Sequence, residues 1–385
     1  MLVILTSHPI QYQAPLWRAL ACAGVKFQVW FLTSHAVQST YDAEFGQSFA
    51  WDVDLLGGYP HRFVEIEPGW RLDRFDGVRP LQPWKTAFEQ HGVTHVWLEG
   101  WRFKCLWTAA FAAHAAGLKV WLRGENHALA PAPWHHRLWK RPLLRRLFAK
   151  VDVVLCIGRA NRDFYRLLDV NASRLHAAPY AVDNTAFANA ARELRPLRAK
   201  LREDWQVSPG AFTILFCGKL ITKKRPHDLV AASRLAAHTS KRPLHLLFVG
   251  DGELMPALKT ALAEPGVPAA TLIGFLNQSR IPEAFAAADC LVLPSDYGET
   301  WGLVVNEALA SGLPAIVSDH CGCAADLGLA QGTGHVFPFG DIPALATAIN
   351  RVEAHTPSPA SLMLLIERHS IDRTVETVTH LLSEA

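Results

Sequence analysis

The sequence predicts an α/β protein built of doubly wound parallel sheets, and two observations carry that expectation. Short apolar runs of strand type alternate with longer segments of helical period, the pattern of right-handed strand-helix-strand units that build a parallel sheet. The chain also has 385 residues, 50% of them hydrophobic, which exceeds the length at which one core usually keeps growing. Two Rossmann-like domains follow, read as residues 1–183 and 184–385, with the last helix free to pack back on the first domain.

In the first half, strands are expected near Leu2–Thr6, Phe27–Leu32, His95–Leu98, Lys119–Leu122 and Val153–Ile157, and helices near Ala14–Ala23, Phe103–Ala116 and Arg159–Leu168. The stretch from Ser34 to Pro83 has weak periodicity, five glycines and the aromatics Trp51, Tyr59 and Trp70, so it reads as irregular or as an added hairpin. The second half repeats the alternation, with strands near Thr213–Cys217, Leu244–Val249, Thr271–Ile273, Cys290–Leu293 and Ala315–Ser318. The join lies after Pro179-Tyr-Ala-Val-Asp183, where strand character gives way to a charged helical segment from about Ala190 to Glu203. Ligands of open parallel sheets bind beyond the carboxyl ends of the strands, so the loops after each strand are where chemistry is sought.

Bulk properties exclude several classes. The 38 Lys and Arg nearly balance the 35 Asp and Glu, and a net charge of +3 gives no reason to expect a nucleic-acid binder. The seven cysteines are an odd number scattered through apolar runs, which fits packed thiols in a reducing, cytoplasmic setting. Cys321-Gly-Cys323 lacks the two-residue gap and second ligand pair of a zinc site, so no metal is expected. The start Met1-Leu-Val-Ile-Leu-Thr-Ser-His8 runs into a strand without the basic start or cleavage site of a signal peptide. The longest uncharged apolar stretch, between Lys104 and Lys119, falls short of the roughly 20 residues needed to cross a bilayer.

The most informative segment is Pro294-Ser-Asp-Tyr-Gly-Glu299-Thr-Trp-Gly-Leu-Val-Val-Asn-Glu307-Ala-Leu-Ala-Ser-Gly312-Leu-Pro314, a polar loop and a helix between two strands. Glu299 falls in the loop. The helix is expected to start near Gly302, so the free amides of Gly302 and Leu303 face the strand end and favour an anion. Glu307 then lies among Leu303, Val304, Val305, Ala308, Leu309 and Ala310, where a carboxylate needs a partner. A ribose with adjacent hydroxyls would satisfy it; so would a nearby arginine or solvent.

These residues resemble the family-4 retaining glycosyltransferases of the GT-B fold, within the glycosyl transferases group 1, whose signature sets two glutamates with seven residues between them. Glu299 and Glu307 have that spacing, followed by Gly-Leu after the first and Gly-Leu-Pro before the next strand. The resemblance implies two Rossmann-like domains facing each other across a cleft, the second binding a nucleoside diphosphate sugar and the first the acceptor. It assigns Glu299 to the donor sugar, Glu307 to the ribose, and Thr300, Trp301, Gly302 and Leu303 to the donor contact.

Further matches to the family are graded. In Phe216-Cys-Gly218-Lys219-Leu-Ile-Thr-Lys-Lys224-Arg225-Pro226, relatives read Gly-Arg-Leu, a spacer, then Lys-Gly, with the Arg and Lys on the donor diphosphate. Here Lys219 stands for the Arg, keeping charge without the planar fork, and Arg225 for the glycine; Lys224 matches. The alternative reading is a solvated basic turn. Phe248-Val-Gly250-Asp-Gly252 resembles the family's glycine turn near the nucleotide, and Phe275 and Leu276 lie where relatives hold the base, or are plain core.

The first domain resembles the family less. Ser7-His8-Pro9-Ile10-Gln11 replaces a Gly-Gly loop, leaving His8 and Gln11 to meet phosphate or acceptor, or to cap and pack. Arg123-Gly124-Glu125-Asn126-His127 ends a strand where relatives place a histidine beside the donor sugar; His127 is assigned that role, ahead of Glu125, with Asn126 alongside. Residues 135–150 mix Lys and Arg with Leu138, Trp139, Leu143, Leu144, Leu147 and Phe148, fitting either peripheral contact with the inner face of a membrane or a surface helix with its stripe in the core.

The resemblance therefore implies a metal-independent, retaining transfer of a sugar to a hydroxyl of a carbohydrate or lipid-linked acceptor, in polysaccharide, glycolipid or other glycoconjugate biosynthesis. No cofactor is expected beyond the nucleoside diphosphate sugar itself, a UDP-sugar ahead of a GDP-sugar. No Asp-x-Asp motif in a loop context is expected, in agreement with metal independence. A nucleotide-sugar epimerase or hydrolase, and a non-catalytic nucleotide-sugar-binding subunit, are the other classes the fold would serve.

Overall fold

The computed structural model describes residues 1–35, 37, 40–42, 46–130, 134–328 and 334–384. The chain divides into two units. The first contains Met1–Thr40, Asp54–Pro179 and Ile371–Ala385; the second contains Tyr41–Val53 and Tyr180–Ser370.

The strands of the first unit's sheet are β1 Leu2–Thr6 and β2 Phe27–Phe31; a separate short pair follows in the chain, β3 Thr40–Asp42 and β4 Gln47–Phe49. The sheet continues with β5 His61–Phe63, β6 His95–Glu99, β7 Lys119–Arg123, β8 Val153–Cys156 and β9 Leu175–Ala177. Its order is β5-β2-β1-β6-β7-β8-β9, with all neighbours parallel. Side chains alternate between its two faces, as the strand period requires. Val3, Leu5, Val96, Leu98, Val120 and Leu122 enter one core with Trp84, Phe88, Leu106 and Phe148. Leu2, Ile4, Val29, Trp97 and Trp121 enter the other with Leu16, Trp17 and Leu20 of the helix Ala14–Cys22. Burial on both faces explains why these strands are apolar throughout rather than alternating with polar residues.

The final helix, Ile371–Ser383, belongs to the first unit: Val378 and Leu381 join the core around Trp17, and Thr374 and Thr377 donate to the Pro179 and Ala177 carbonyls at 3.3 and 2.7 Å.

The second unit has β10 Phe212–Cys217, β11 Leu244–Val249, β12 Ala269–Gly274, β13 Cys290–Leu293, β14 Ala315–Ser318 and β15 Gly334–Phe337. Their order is β12-β11-β10-β13-β14-β15, again parallel throughout. This is the doubly wound Rossmann order, with the reversal of winding between β10 and β13. In the first unit the reversal falls between β1 and β6. The charged segment after Asp183 forms the helices Asn184–Leu194 and Arg198–Asp204, whose Arg198 and Arg202 hold Asp289 at the amino end of β13.

Three strands lie outside the sequence expectation: β5, β9 and β15, each of three or four residues and too short to show a period. The stretch 34–83 contains a two-stranded ribbon, β3 with β4, and otherwise little regular structure. Among the described residues no helix is long and apolar enough to cross a membrane.

Candidate functional site

The carboxyl ends of β10 and β13 are the topological reversal of the second unit, and two charged side chains meet there. After β10 the chain turns through Gly218 at φ +149° to Lys219, then through a short 3-10 turn, Thr222–Lys224, into the helix Pro226–Ala236. Arg225 sits in the left-handed region at φ 54°, where the family's glycine would rest without strain. Its guanidinium is bound to Asp228 at 3.0 and 2.8 Å, so it is not a spare cation at the strand end.

Lys224 points into the unit and forms an ion pair with Glu299 of the loop after β13; the two side chains are 16% and 13% exposed. Burial by itself would lower the Lys224 ammonium, but the adjacent Glu299 charge outweighs it and the pKa is raised. The loop is tied to the Lys turn by its backbone: Asp296 N donates to Lys223 O at 2.9 Å and Glu299 N to Asp296 O at 3.0 Å. The neighbouring turn locks in as well, with Gly218 N on Val249 O and Leu220 N on Asp251 O, at 2.9 and 2.8 Å. Gly250, at φ +129°, lies so close that a Cβ there would stand 2.0 Å from Gly218 O. Gly252 opens the turn at φ +153°.

The helix Leu303–Ala310 begins at Gly302, whose φ is +105° and whose added Cβ would meet Leu293 Cδ2 at 2.7 Å. A side chain is excluded there, so the first-turn amides of Leu303 and its neighbours sit beside the Glu299 loop. Amides at a helix start have no partners within the helix. Thr300 and Trp301 supply backbone: a Cβ on Gly322 would lie 1.9 Å from Thr300 O, and Cys323 N donates to Trp301 O at 3.1 Å. The Trp301 indole is 2% exposed and spends its N–H on Asn306 Oδ1 at 2.8 Å, while Asn306 donates to Tyr180 O at 2.9 Å. Trp301 is thus a core side chain bracing the helix. Cys321 and Cys323 are buried in the same brace, Cys321 Sγ facing the Leu293 and Ser295 carbonyls.

Glu307 lies half-buried one turn further along. Its partner among the described residues is an amide and not an arginine, Gln278 Nε2 donating to Oε1 at 3.2 Å. Burial pushes its pKa up to about 7, against the pull of that hydrogen bond. Near neutrality the carboxyl is therefore part protonated and able both to donate to and to accept from a hydroxyl.

Gln278 lies in the segment after β12, where Leu276 is buried and Phe275 half-buried. This segment meets the ribbon residues that belong to the same unit. Phe49 lies 4.6 Å from Phe275 between ring centroids, and Asn277 Nδ2 donates to Ala50 O at 2.7 Å. Lys219 Nζ donates to both carboxylate oxygens of Asp42, at 3.1 and 2.9 Å. Asp42 and Gln278 carry no motif and were invisible as site residues; their partners are 177 and 29 residues away in sequence.

The string Asp52-Val53-Asp54 has Asp-x-Asp spacing in a loop, so the expected absence of such a string does not hold. Both carboxylates are engaged: Asp52 accepts from Ser279 N and the Ser279 hydroxyl, 227 residues on, and Asp54 from Leu56 N and Gly57 N.

In the first unit, the strand ends at the reversal gather a different set. His8, after β1, has Nδ1 2.8 Å from the Ser7 hydroxyl and a pKa lowered to about 4 by burial and by His35. It is therefore neutral at physiological pH. Gln11 is half-buried in the turn before the helix Ala14–Cys22. Glu99 ends β6 with its side chain 8% exposed, takes a hydrogen bond from Gln13 at 3.2 Å and lies 3.9 Å from Arg123. Burial pushes it up to about 7, Arg123 opposing and Glu125 adding to the rise. The sequence reading passed over Glu99 because it follows an apolar strand without interruption. Beyond Arg123, Asn126 is exposed and its carbonyl accepts from Asn161 at 2.7 Å, while His127 Nδ1 accepts from Leu129 N at 3.3 Å.

The basic segment forms the helix Trp134–Phe148. The side chains of 134–139 lie outside the described residues. Of the rest, Leu147 and Phe148 are core, Leu143 is exposed, and Arg141 and Arg145 pair with Asp169.

Comparison with known proteins bears on this arrangement. Residues 198–363 match the family model of glycosyl transferases group 1. The chain is 29% identical over 238 residues to the D-inositol 3-phosphate glycosyltransferase of Nocardia farcinica, covering 59% of this chain and 50% of that protein. It is 32% identical over 198 residues to the GDP-mannose-dependent alpha-mannosyltransferase of Mycobacterium tuberculosis, covering 51% and 47%. The chain thus spans about half the length of the curated relatives it matches. Among solved structures, Anabaena HepE in complex with UDP superposes with a TM-score of 0.70 at 17% identity, each chain covered in full at 100%. The sucrose-phosphate synthase of Thermosynechococcus elongatus gives 0.70 at 16%, covering 100% and 98%. The two parallel-sheet Rossmann-like units are those of the GT-B glycosyltransferase fold, and residues 198–363 are similar to the glycosyl transferases group 1.

Proposed function

We propose that the protein is a metal-independent, retaining glycosyltransferase that moves a sugar from a nucleoside diphosphate sugar to a hydroxyl acceptor. The observation that carries this reading is the part-buried Lys224–Glu299 pair at the reversal between β10 and β13, beside the start of the helix Leu303–Ala310. Cleavage of a sugar-phosphate bond leaves a diphosphate with extra charge. A fixed ammonium and helix-start amides, held where water is scarce, stabilise that charge without reorganising. Lys219 is the second cation assigned to the diphosphate.

Glu299 then holds hydroxyls of the donor sugar, and Glu307 the ribose through a carboxyl that can both donate and accept. Phe275 and Leu276 are the base-side contacts. His127, with Glu125 and Asn126, belongs to the acceptor-binding unit and is assigned to the sugar-facing side of the reaction; no nucleophile is assigned, and a donor phosphate oxygen takes the acceptor proton. Support for a UDP-sugar comes from the UDP and UDP-glucose complexes of HepE, while mannosyltransferase relatives named for GDP-mannose keep the guanine nucleotide in view. The acceptor is a carbohydrate or lipid-linked glycan; exposed Leu143 among the arginines of 140–146 supports peripheral contact with an anionic membrane.

The test is donor turnover and transfer by the Glu299→Ala variant. Transfer is lost while nucleoside diphosphate affinity is kept; transfer at the wild-type rate contradicts the assignment.

A further inference from the structure

The ribbon 41–53 ties together the two ends of the site just described. At one end Asp42 places both carboxylate oxygens on Lys219 Nζ. At the other, Phe49 packs on Phe275, and the ribbon is fastened to the segment after β12 by three further groups. These are Ala50 O on Asn277 Nδ2 at 2.7 Å, Asn277 Oδ1 on Asp52 N at 3.4 Å, and the Asp52 carboxylate on Ser279 N at 3.1 Å and on its hydroxyl. Lys219 and Phe275 are, on the reading above, the diphosphate and base ends of one donor, and the inference rests on that reading.

A carboxylate presenting two oxygens to an ammonium is the closest protein imitation of a phosphate at the same place. The pair is only part-exposed, at 24% for Lys219 and 31% for Asp42. A donor phosphate and Asp42 would put two anions on one ammonium with little water between them, and like charges at that range repel by more than in bulk solvent. The two cannot both be bound at full strength.

We infer that Asp42 is an internal competitor for the donor diphosphate: it holds Lys219 in the position a phosphate oxygen takes, and donor binding requires its release. The attachment at Asp52, Asn277 and Ser279 lies several residues beyond, so the ribbon stays fastened to the base-side segment while Asp42 swings off Lys219. Asp42 is a positioning residue, keeping Lys219 directed at the phosphate site, and it sets the affinity for donor and for the product nucleoside diphosphate alike.

The experiment is calorimetric titration of UDP, GDP and inorganic pyrophosphate into the full chain and into Asp42→Asn, Lys219→Ala, Lys224→Ala and the Asp42→Asn/Lys219→Ala double variant, with a melting curve for each. Asp42→Asn keeps the shape and removes the charge. It should tighten nucleoside diphosphate binding by up to about fivefold, which is what an ion pair of up to about 1 kcal/mol corresponds to. The gain should vanish in the Lys219→Ala background, which a general change in charge would not produce. Weaker or unchanged binding by a folded Asp42→Asn overturns the competition. If wild type binds, Lys224→Ala weakens it and Asp42→Asn changes nothing, only this inference fails. If neither wild type nor Asp42→Asn binds any of the three probes, the donor-site reading fails and the competition with it; binding by Asp42→Asn alone supports both.

Discussion

Lys224 is a part-buried ammonium paired with the Glu299 carboxylate, and that pairing makes its neighbourhood testable residue by residue. Removing one member of a part-buried pair costs less than the about 3–5 kcal/mol of a fully buried one but still destabilises. Lys224→Ala is therefore expected to lower the melting temperature and to weaken nucleoside diphosphate binding by at least about tenfold, a loss of about 1.4 kcal/mol or more. A Lys224→Ala protein that binds as tightly as wild type would remove this cation from the site. Glu307 gives a prediction in pH. Its ordinary value is 4.5 and its folded value about 7, so between those values the folded state keeps a proton that the unfolded chain has released. Stability accordingly falls as pH rises through that window, and the penalty is fully present above pH about 7. Glu307→Gln should melt higher than wild type at pH 8 and gain nothing at pH 4, as read by thermal unfolding at the two pH values. Equal shifts at both would show that the carboxyl is not raised.

At the scale of elements, two glycines hold the loops that make the site. Gly250→Ala would drive a Cβ to 2.0 Å from Gly218 O, and the obstacle is backbone that cannot rotate away. Gly302→Ala would place one 2.7 Å from Leu293 Cδ2 at φ +105°. Both variants should lose more than about 2 kcal/mol of stability, with Gly250→Ala the worse, as measured by chemical unfolding. The loop and helix around Glu299 and Glu307 were legible in the sequence because an apolar strand, a polar loop and a helical run follow one another within 30 residues. The start at Gly302 fell where the glycine and the following apolar period put it. The ribbon was not legible, because residues 34–83 carry no period and because the contact that gives Asp42 its meaning is made with Lys219, 177 positions on. Trp301 shows the opposite limit: a motif position next to Glu299 whose side chain turns out to brace the helix from within.

At the scale of the whole molecule, chain order and unit membership diverge. Residues 41–53 belong to the second unit and 371–385 to the first. Truncation after Ser370 would strip Val378 and Leu381 from the core around Trp17 and leave the Pro179 carbonyl without Thr374. It should therefore loosen the first unit while the sheet β10–β15 keeps its protection, a pattern that hydrogen exchange resolves. The parallel order of both sheets followed from the alternation of short apolar and helical runs, whereas membership of the terminal helix depends on which apolar face it covers, a matter of packing. The central claim is that the reversal between β10 and β13 is a nucleoside diphosphate site. It is tested most directly by titrating UDP and GDP into the 385-residue chain and into Lys224→Ala by calorimetry. The account predicts saturable binding of one nucleotide per chain by the wild type, weakened at least about tenfold by the substitution. Absence of binding by a folded wild-type protein, or equal affinity in both, would contradict it.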